Sequence, residues 1–341
     1  MIFSKKQLKK DAKGSLALVI FCLLLFGIRY TDDWAGYYHF FNNPEASPDL
    51  LFKYLSVFYK SIGLSYIDLF QLHILIIGFC ISYFITRFSS YPLIVLFCVI
   101  LIKFIPIVNQ IRFYSAFGIF LMSIYSLIVS KRRRMAIFLM FLSIISHLAI
   151  SPLFILFLIY PKLKNYTLKK ISKILVLTSV LMFVIFQVMN TIVTGHFEYY
   201  LQGNSISSVI GGLYLILPIV LGYFFIFKYY KILCNKIPEL LDDIKFKFLF
   251  ILSVYTAPLL LIGLISQIVV HRYISIFSMV WLIYLIYPLS LDSHNKRNII
   301  FSFLGFLFYL IALVYLVPIV VFGESEFVIK AFLTIESMES I

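Results

Sequence analysis

Charged residues are scarce in this chain, and their scarcity excludes most classes of protein. Of the 341 residues only 13% are charged, whereas 62% are hydrophobic and the mean hydropathy is +1.01. A soluble domain of this length does not need so much apolar surface to fill its core. The composition therefore predicts an all-α, polytopic integral membrane protein.

Cysteine is also rare, and its spacing gives no sign of a metal site. The cysteines lie far apart, in apolar runs or in a basic loop, and they are Cys22, Cys80, Cys98 and Cys234. We interpret them as packing residues and expect neither a metal nor a cofactor. The sequence also lacks a phosphate-binding loop and a dinucleotide fingerprint, which argues against a nucleotide-driven enzyme.

Basic residues outnumber acidic ones by 29 to 15, but their positions do not indicate a nucleic-acid-binding protein. They form short clusters beside apolar runs, where basic side chains set the membrane topology and meet anionic lipid. We therefore expect these Lys and Arg clusters to contact the membrane surface and not a nucleic acid.

Apolar runs of bilayer length divide the chain into membrane segments. They lie at about 15–30, 67–86, 91–108, 113–129, 174–193, 209–227, 248–270, 274–290 and 299–321. The stretch at 135–160 has basic clusters on both sides, so a single crossing would place one of them outside. We predict instead a short central helical hairpin that turns near His147–Pro152 and is buried among other helices.

This hairpin brings the total to about 11 transmembrane segments, with the N-terminus inside and the C-terminus outside. Of the Lys and Arg residues, 22 then lie inside and 7 outside, as the positive-inside rule requires. We predict a basic cytoplasmic N-terminus at 1–14 and a single transmembrane helical domain at 15–321 with an outer loop at about 31–66. The remaining 322–341 form an acidic, non-cytoplasmic tail.

Ionisable side chains in or beside the predicted spans gather at the outer face. Such groups are costly in a bilayer unless they face a cavity or a partner, so they mark functional sites. The set consists of Arg29, His73, Lys103, Arg112, His147 and Arg272. Any one Arg or Lys near a helix end is more often an interface anchor, but the convergence of several on one face favours a binding site.

The arginines of this set indicate an anionic ligand. A planar guanidinium fork matches phosphate oxygens, and several converging arginines imply a ligand with two or more charges. We predict that a diphosphate is bound by Arg112, Arg272, Arg29 and Lys103. Since ATP is absent outside the cytoplasm, the substrate must already be activated, and a lipid-linked diphosphate meets that requirement.

Acid–base groups come from the hairpin and the outer loop. We predict that His147 is the base for an acceptor hydroxyl or a donor to a diphosphate oxygen, because histidine suits proton transfer near neutral pH. The alternative is that His147 only pins the hairpin through a backbone hydrogen bond. The rival base is Asp33, which Tyr37 follows one helical turn later. The loop carboxylates that could act as a base or bind sugar hydroxyls are Asp32, Asp33, Glu45, Asp49 and Asp68.

Aromatic residues crowd the same loop. An interfacial belt accounts for most of them, because Trp and Tyr favour the headgroup level of a membrane. Trp34 stands beside the acidic pair and could instead stack on a sugar ring. We retain Trp34 and Tyr37 as candidate substrate contacts.

Several motifs, taken in order, resemble the EpsG/Wzy family of bacterial polysaccharide polymerases. They are TDDWAGYYHFF at 31–41, PEASPDLLFKYLS at 44–56, NQIRFYSAFGIF at 109–120, SIISHLAISPLFIL at 143–156 and HRYISIF at 271–277. The first is similar to the family's Asp-x-x-x-Tyr pattern at Asp33 and Tyr37, and the third to its helix-opening Arg motif. Where the family often has a Gln after that arginine, this chain has Phe113.

The resemblance implies a function. Such enzymes join undecaprenyl-diphosphate-linked oligosaccharide repeats into O-antigen, capsule or exopolysaccharide on the outer face of the inner membrane. We therefore expect a metal-independent glycosyltransferase of the bacterial inner membrane whose active site faces the periplasm or the outside. Its substrate would be the lipid-linked oligosaccharide, and its candidate partners a chain-length regulator and a flippase.

Two other classes of protein remain open. A transporter or flippase for lipid-linked sugars would also use charges within the membrane, but at mid-depth and accessible from both sides. A non-catalytic subunit of an export complex would not require the outer arginines to converge. The position and the separation of these side chains in the folded protein distinguish the three classes.

Overall fold

The computed structural model describes residues 5–27, 33–89, 91–154, 157–158, 167–192, 209–264, 267–290 and 296–313. These residues form α-helices and short 3-10 turns, and no strand occurs among them. The all-α fold of a membrane protein, expected from composition, is confirmed. The described parts of Met1–Phe157 and Ile300–Ile341 form one compact unit, and those of Leu158–Ile299 form a second.

The first unit is built mainly from seven helices in the described part of the chain. They are α1 (Lys5–Phe26), α2 (Trp34–Asn42), α3 (Leu50–Ser61), α4 (Tyr66–Phe88), α5 (Pro92–Asn109), α6 (Ile111–Ile128) and α7 (Arg133–Ser146). Two 3-10 turns, Pro44–Ala46 and Leu148–Leu153, lie before α3 and after α7. The core of this unit is the packing of α4 against α1 and α6, and of α6 against α7.

Helix α4 shows why the chain folds this way locally. Its first turn is closed by a capping box, in which the Ser65 hydroxyl accepts from the Asp68 backbone and the Asp68 carboxylate accepts from the Ser65 backbone. An almost uninterrupted apolar sequence then follows to Phe88. At Gly118 of α6 an added Cβ would lie 2.9 Å from the Cβ of Cys80 in α4, so the two helices approach closely there.

Helices α6 and α7 run antiparallel. The Ser143 hydroxyl of α7 donates to the Ala116 carbonyl at 2.6 Å, and the Ser123 hydroxyl of α6 donates to the Ala136 carbonyl at 2.7 Å. The first bond pairs the start of α6 with the end of α7, and the second pairs a later turn of α6 with the start of α7. The basic loop at 131–134 therefore lies at the opposite end of the pair from Arg112.

The second unit contains helices α8 (Leu168–Ile192), α9 (Val209–Lys236), α10 (Ile244–Val254) and α11 (Gln267–Ile286). Its 3-10 turns are Pro238–Leu241, Ala257–Leu264 and Tyr287–Ser290. Two buried side chains are hydrogen-bonded across its helices: the Trp281 indole donates to the Ser253 carbonyl and the Tyr229 hydroxyl to the Leu285 carbonyl, each at 2.7 Å. Helix α12 (Lys296–Ile311) follows, and the unit boundary falls within it.

Four helical segments of the described chain are long and apolar enough to cross a membrane. They are Tyr66–Phe88, Ile111–Ile128, Ile216–Lys236 and Ile244–Ile262. Two shorter apolar helical stretches are Pro92–Phe104 and Ile276–Ser290. The chain is thus a membrane protein with several apolar helices, and the total of about 11 segments stays a prediction.

The predicted hairpin has a clear break where its apex was expected. Helix α7 ends at Ser146, and His147 adopts an extended backbone before the 3-10 turn begins. With 14 residues, α7 spans about 21 Å, which is short for a full bilayer crossing. Most of the return arm, beyond Phe154, lies outside the described residues, so its direction stays a prediction.

Candidate functional site

A buried carboxylate joins two of the predicted site residues. Asp49 accepts a hydrogen bond from Arg112 Nη1 at its Oδ2 over 2.7 Å. Its other oxygen, Oδ1, lies 2.9 Å from His147 Nδ1 and 3.3 Å from the backbone N–H of Leu148. Three segments far apart in sequence therefore meet at one side chain, and we call Asp49, Arg112 and His147 the Asp49 cluster.

Each member of the Asp49 cluster comes from the end of a helix. Asp49 is the N-cap residue of α3, Arg112 is in the first turn of α6, and His147 is the C-cap residue of α7. The α6–α7 pairing places the cluster at the end of the helix pair opposite the basic loop. The charges are thus at the boundary of the helical core and not midway along it.

The electrostatics keep Asp49 ionised. Burial raises the pKa of Asp49, but the hydrogen bond and the charge of His147, the charge of Arg112 and the Leu148 N–H lower it by more, so the net shift is downward. The Asp49 side chain is 1% exposed and that of Arg112 is 10% exposed, so solvent screens their attraction little. An ionised carboxylate is fixed here by two side-chain donors and one backbone N–H.

This arrangement also fixes the tautomer of His147. An ionised carboxylate can only accept, so the proton that the imidazole shares with Asp49 is on Nδ1. In the neutral imidazole Nε2 then carries the free lone pair. The Phe113 ring meets the imidazole edge-on at 5.4 Å, and the His147 side chain is 19% exposed. His147 is therefore held at one nitrogen and available at the other.

Aromatic rings surround the guanidinium of Arg112. Its Cζ lies 4.7 Å from the ring centroid of Tyr37, 4.9 Å from that of Phe40 and 5.2 Å from that of Phe52. Such contacts attract a cation through the electron-rich ring faces, and more strongly away from water. The guanidinium is thus held by stacking as well as by Asp49.

A buried histidine of α4, His73, lies next to the cluster. The His73 ring of α4 stacks on Phe52 at 5.8 Å, so Phe52 contacts both His73 and Arg112. The Ser115 hydroxyl donates to the Arg112 carbonyl at 2.9 Å and lies 3.0 Å from His73 Nδ1. Because that hydroxyl proton is used by the carbonyl, His73 donates from Nδ1. His73 thus packs behind the site and is not part of its open face.

The other predicted residues of the outer loop, Asp33, Trp34 and Tyr37, have different surroundings. Tyr37 contacts Arg112, as described, while Asp33 is the exposed N-cap residue of α2. Trp34 is buried and packs against Tyr66 at 4.6 Å and Phe70 at 5.2 Å. In this structure Trp34 is a core residue, and its contact with a sugar stays a prediction.

Of the remaining predicted cations, the structure describes the side chain of Lys103 alone. Lys103 is buried in α5, with 3% of its surface exposed. Arg29 lies outside the described residues. Arg272 belongs to α11 in the second unit, and its side chain is likewise outside what the structure describes. Their roles in binding a diphosphate stay predictions.

Asp49 is the member that the sequence left unranked among the loop carboxylates. Its signal was the position directly before the amphipathic stretch LLFKYLS, where an Asp is a favoured N-cap. In the fold, however, its side chain makes no cap hydrogen bond and binds Arg112 and His147 instead. That choice depends on residues 63 and 98 positions away.

Among the described residues there is no group of His, Cys, Asp or Glu that could hold a metal ion. The four cysteines are buried, and each is free. The Asp49 cluster holds one carboxylate, one guanidinium and one imidazole. Groups of these kinds can transfer a proton and stabilise charge.

Comparison with known families shows the family to which the chain belongs. The sequence profile of the EpsG family matches residues 15–328, nearly the whole chain. The chain belongs to the EpsG family. The resemblance seen in its motifs is thereby confirmed, and it extends beyond the motifs to all the predicted spans. Comparisons with curated proteins and with solved structures give no match.

Membership in the EpsG family gives the general type of protein. The chain is a multi-pass membrane protein of the polysaccharide-polymerase type. Three of the motifs that carried the resemblance, at 44–56, 109–120 and 143–156, supply the members of the Asp49 cluster. In this EpsG-family chain the motifs are therefore linked through Asp49.

Proposed function

We propose that the chain is a glycosyltransferase that polymerises undecaprenyl-diphosphate-linked oligosaccharide repeats into O-antigen, capsule or exopolysaccharide. The observation that carries the proposal is the Asp49 cluster, in which a buried carboxylate orients a partly exposed imidazole. Family membership supplies the class of reaction. The cluster supplies groups suited to transfer a sugar chain without a metal.

In the proposed reaction the hydroxyl of the acceptor repeat gives its proton to His147 Nε2. The hydroxyl oxygen attacks the anomeric carbon of the donor chain, the bond from that carbon to the diphosphate breaks, and its electron pair leaves with the diphosphate. Asp49 stabilises the imidazolium that forms and keeps the proton of Nδ1 in place. Proton, bonds and charge are thereby balanced.

The contacts of Arg112 favour a different main role from the diphosphate binding that the sequence predicted. One terminal nitrogen of Arg112 is already bonded to Asp49, and its guanidinium is stacked on aromatic rings. We propose that Arg112 acts mainly as a positioning residue that fixes Asp49. The diphosphate would then be bound mainly by the other predicted cations, Arg272, Arg29 and Lys103.

The same geometry supports a proposal for the orientation of the active site. The cluster is at the end of the α6–α7 pair opposite the basic loop 131–134, and basic loops favour the cytoplasm. We propose that the site faces the periplasm or the outside of a bacterial inner membrane. A transporter would place its charges at mid-membrane, so the position of the cluster at helix ends favours the polymerase.

Deletion and complementation test the function. Loss of the gene is expected to shorten the surface glycan from long chains to single repeats, as seen by gel separation of the extracted glycan. His147→Gln keeps a donor and an acceptor but cannot shuttle a proton, so polymer should fall about 100-fold, the lower range for a lost general base. Normal polymer from His147→Gln, at normal protein level, would show that His147 is not the base.

A head-to-head comparison decides which carboxylate matters. Asp49→Asn removes the charge that stabilises the imidazolium and should reduce polymer about 100-fold or more. Asp33→Asn should leave polymer within about threefold, because exposed substitutions away from a site have small effects. Glu45→Gln, at an exposed position of the same loop, is the matched control. The opposite ranking of Asp33 and Asp49 would restore Asp33 as the candidate base.

Arg272 can be tested in the same strain. Arg272→Ala is expected to reduce polymer about 100-fold, the scale of losing one preorganised donor to developing charge. Arg272→Lys keeps the charge but loses the bidentate fork, so it should restore only part of the activity. Full activity of Arg272→Ala would remove Arg272 from the site.

A further inference from the structure

Helix α3 has an apolar face that is exposed in the part of the chain that the structure describes. The residues of this face are spaced as on one side of a helix and are Leu50, Tyr54, Val57 and Phe58, followed by Ile62 at the C-cap. Tyr54 is 65% exposed and Phe58 54% exposed. On the opposite side Phe52 and Ser56 are buried against the first unit. Apolar side chains thus lie on the outward face as well as at Phe52 on the buried side, whereas the outward face of a helix on a water-soluble surface is polar.

The connection to α4 places this face at the edge of the membrane. Only four residues, Ile62–Ser65, separate the end of α3 from Tyr66, where the apolar helix α4 begins. The turn is a Schellman motif, in which Leu64 N–H bonds to the Tyr59 carbonyl and Gly63 N–H to the Lys60 carbonyl. A closed turn of this kind does not let α3 reach far from the start of α4.

The length of α3 excludes a crossing of its own. Its 12 residues span about 18 Å, well short of the hydrocarbon thickness of about 30 Å. Two lysines hold its polar edge to the protein: Lys53 pairs with Glu45, and Lys60 donates to the Asn42 carbonyl at 3.0 Å. These bonds orient the helix so that the apolar face points away from the unit.

We propose that α3 is an interfacial helix whose exposed face lies among the phospholipid acyl chains of the leaflet at which α4 begins. Helix α4 is long and apolar enough to cross the membrane, and the turn Ile62–Ser65 joins it directly to α3. Because this turn is short, the exposed face of α3 lies close to the membrane boundary at which α4 begins. This closeness argues for lipid as the occupant. An amphipathic helix at this depth buries its apolar side chains and keeps its lysines near the headgroups.

The inference has a consequence for the Asp49 cluster, although it does not depend on the proposed function. Asp49 is the N-cap residue of α3, so an α3 fixed in the leaflet also fixes the depth of Asp49. Arg112 and His147 are bonded to Asp49 and share that depth. The membrane surface would then act as one wall of the site and present lipid-borne substrates at its level.

Tryptophan fluorescence in lipid nanodiscs tests the location of α3. The probes are Phe58→Trp and Tyr54→Trp on the exposed face, and the matched control is Ala46→Trp on the exposed 3-10 turn of the same loop. The emission of the two native tryptophans is subtracted with the unmodified protein. Each variant is exposed in turn to iodide in the buffer and to phospholipid brominated near the headgroup end of its acyl chains.

The expected result is about twofold quenching of both face probes by brominated lipid with little quenching by iodide, since the apolar face of an interfacial helix lies just below the headgroups. The control at Ala46 should show the reverse pattern. Quenching of the face probes by iodide alone would place α3 in water and overturn the proposal. Protection from both quenchers would show that protein covers the face, for example a second copy of the chain, and would overturn it as well.

Discussion

At the scale of single residues, the site rests on a charge that is expensive to bury. Removing a carboxylate and a guanidinium from water costs several kcal/mol for each ion, and their mutual attraction only roughly repays that cost. Asp49 nevertheless is almost fully buried between Arg112 and His147. We interpret the buried carboxylate as the group that holds the imidazole in one tautomer and one orientation, at a cost in folding free energy.

A double-mutant cycle tests the coupling of Asp49 to Arg112. Arg112→Ala leaves Asp49 buried without its guanidinium and should cost about 3–5 kcal/mol of stability. The double variant Arg112→Ala with Asp49→Ala should cost less than the two single changes together, because no buried charge is left unpaired. Thermal unfolding of the purified protein in detergent measures both effects.

The control for this cycle is the ion pair between Lys53 and Glu45, whose carboxylate is well exposed. Lys53→Ala should change stability by less than about 1 kcal/mol, because water screens such a pair. Additive effects of Arg112→Ala and Asp49→Ala would show that the two side chains are not coupled.

At the scale of elements, short connections position the site more than long helices do. The turn after α3 depends on Gly63, whose φ of 76° lies in the left-handed region that favours glycine. An added Cβ at Gly63 would meet no atom within 4 Å, so a substitution there is strained by the backbone alone. This turn sets the angle between α3, which carries Asp49 at its start, and α4.

Gly63→Ala should therefore destabilise the protein by about 1 kcal/mol, the usual cost of forcing Ala into the left-handed region. Gly36→Ala is the matched control, since Gly36 is exposed in the first turn of α2 and an added Cβ there also meets nothing within 4 Å. That control should be neutral or stabilising by up to about 1 kcal/mol, because Ala favours helix over Gly. Equal effects of the two changes in thermal unfolding would contradict the role of the turn.

At the scale of the whole molecule, the basic loops predict the topology. The antiparallel α6–α7 pair has the loop at 131–134 at one end and the Asp49 cluster at the other. The break at His147 is where the central hairpin was predicted to turn back. The basic cluster at 161–170 would then return to the same side of the membrane as Arg133.

Reporter fusions test this arrangement. A reporter fused near Arg133 and one fused near Lys164 should both give a cytoplasmic signal, because each lies in a basic cluster that favours the inside. A fusion in the outer loop near Ala46 is the control and should give the opposite signal. An outer signal near Lys164 would replace the hairpin by a single crossing and reverse the orientation of every later segment.

The sequence by itself determined the class of the protein. Apolar runs of bilayer length are local features, and so an all-α membrane protein could be read from them without knowledge of packing. The helix break at His147 could also be predicted, because the basic clusters on both sides of 135–160 favour a turn within that stretch and Pro152 disfavours a continuous helix. The order of its motifs was enough to indicate the EpsG family.

Only the tertiary structure decided which carboxylate meets the other predicted residues. Asp33 and Asp49 occupy the same predicted outer loop, and the position of Tyr37 one helical turn after Asp33 made Asp33 the preferred candidate base. Packing of α3 against α4 and α7 instead directs Asp49 to the start of α6 and the end of α7. Asp49 is separated in sequence from Arg112 by 63 positions and from His147 by 98. Contacts over such separations depend on how the helices pack, and local sequence preferences do not determine them.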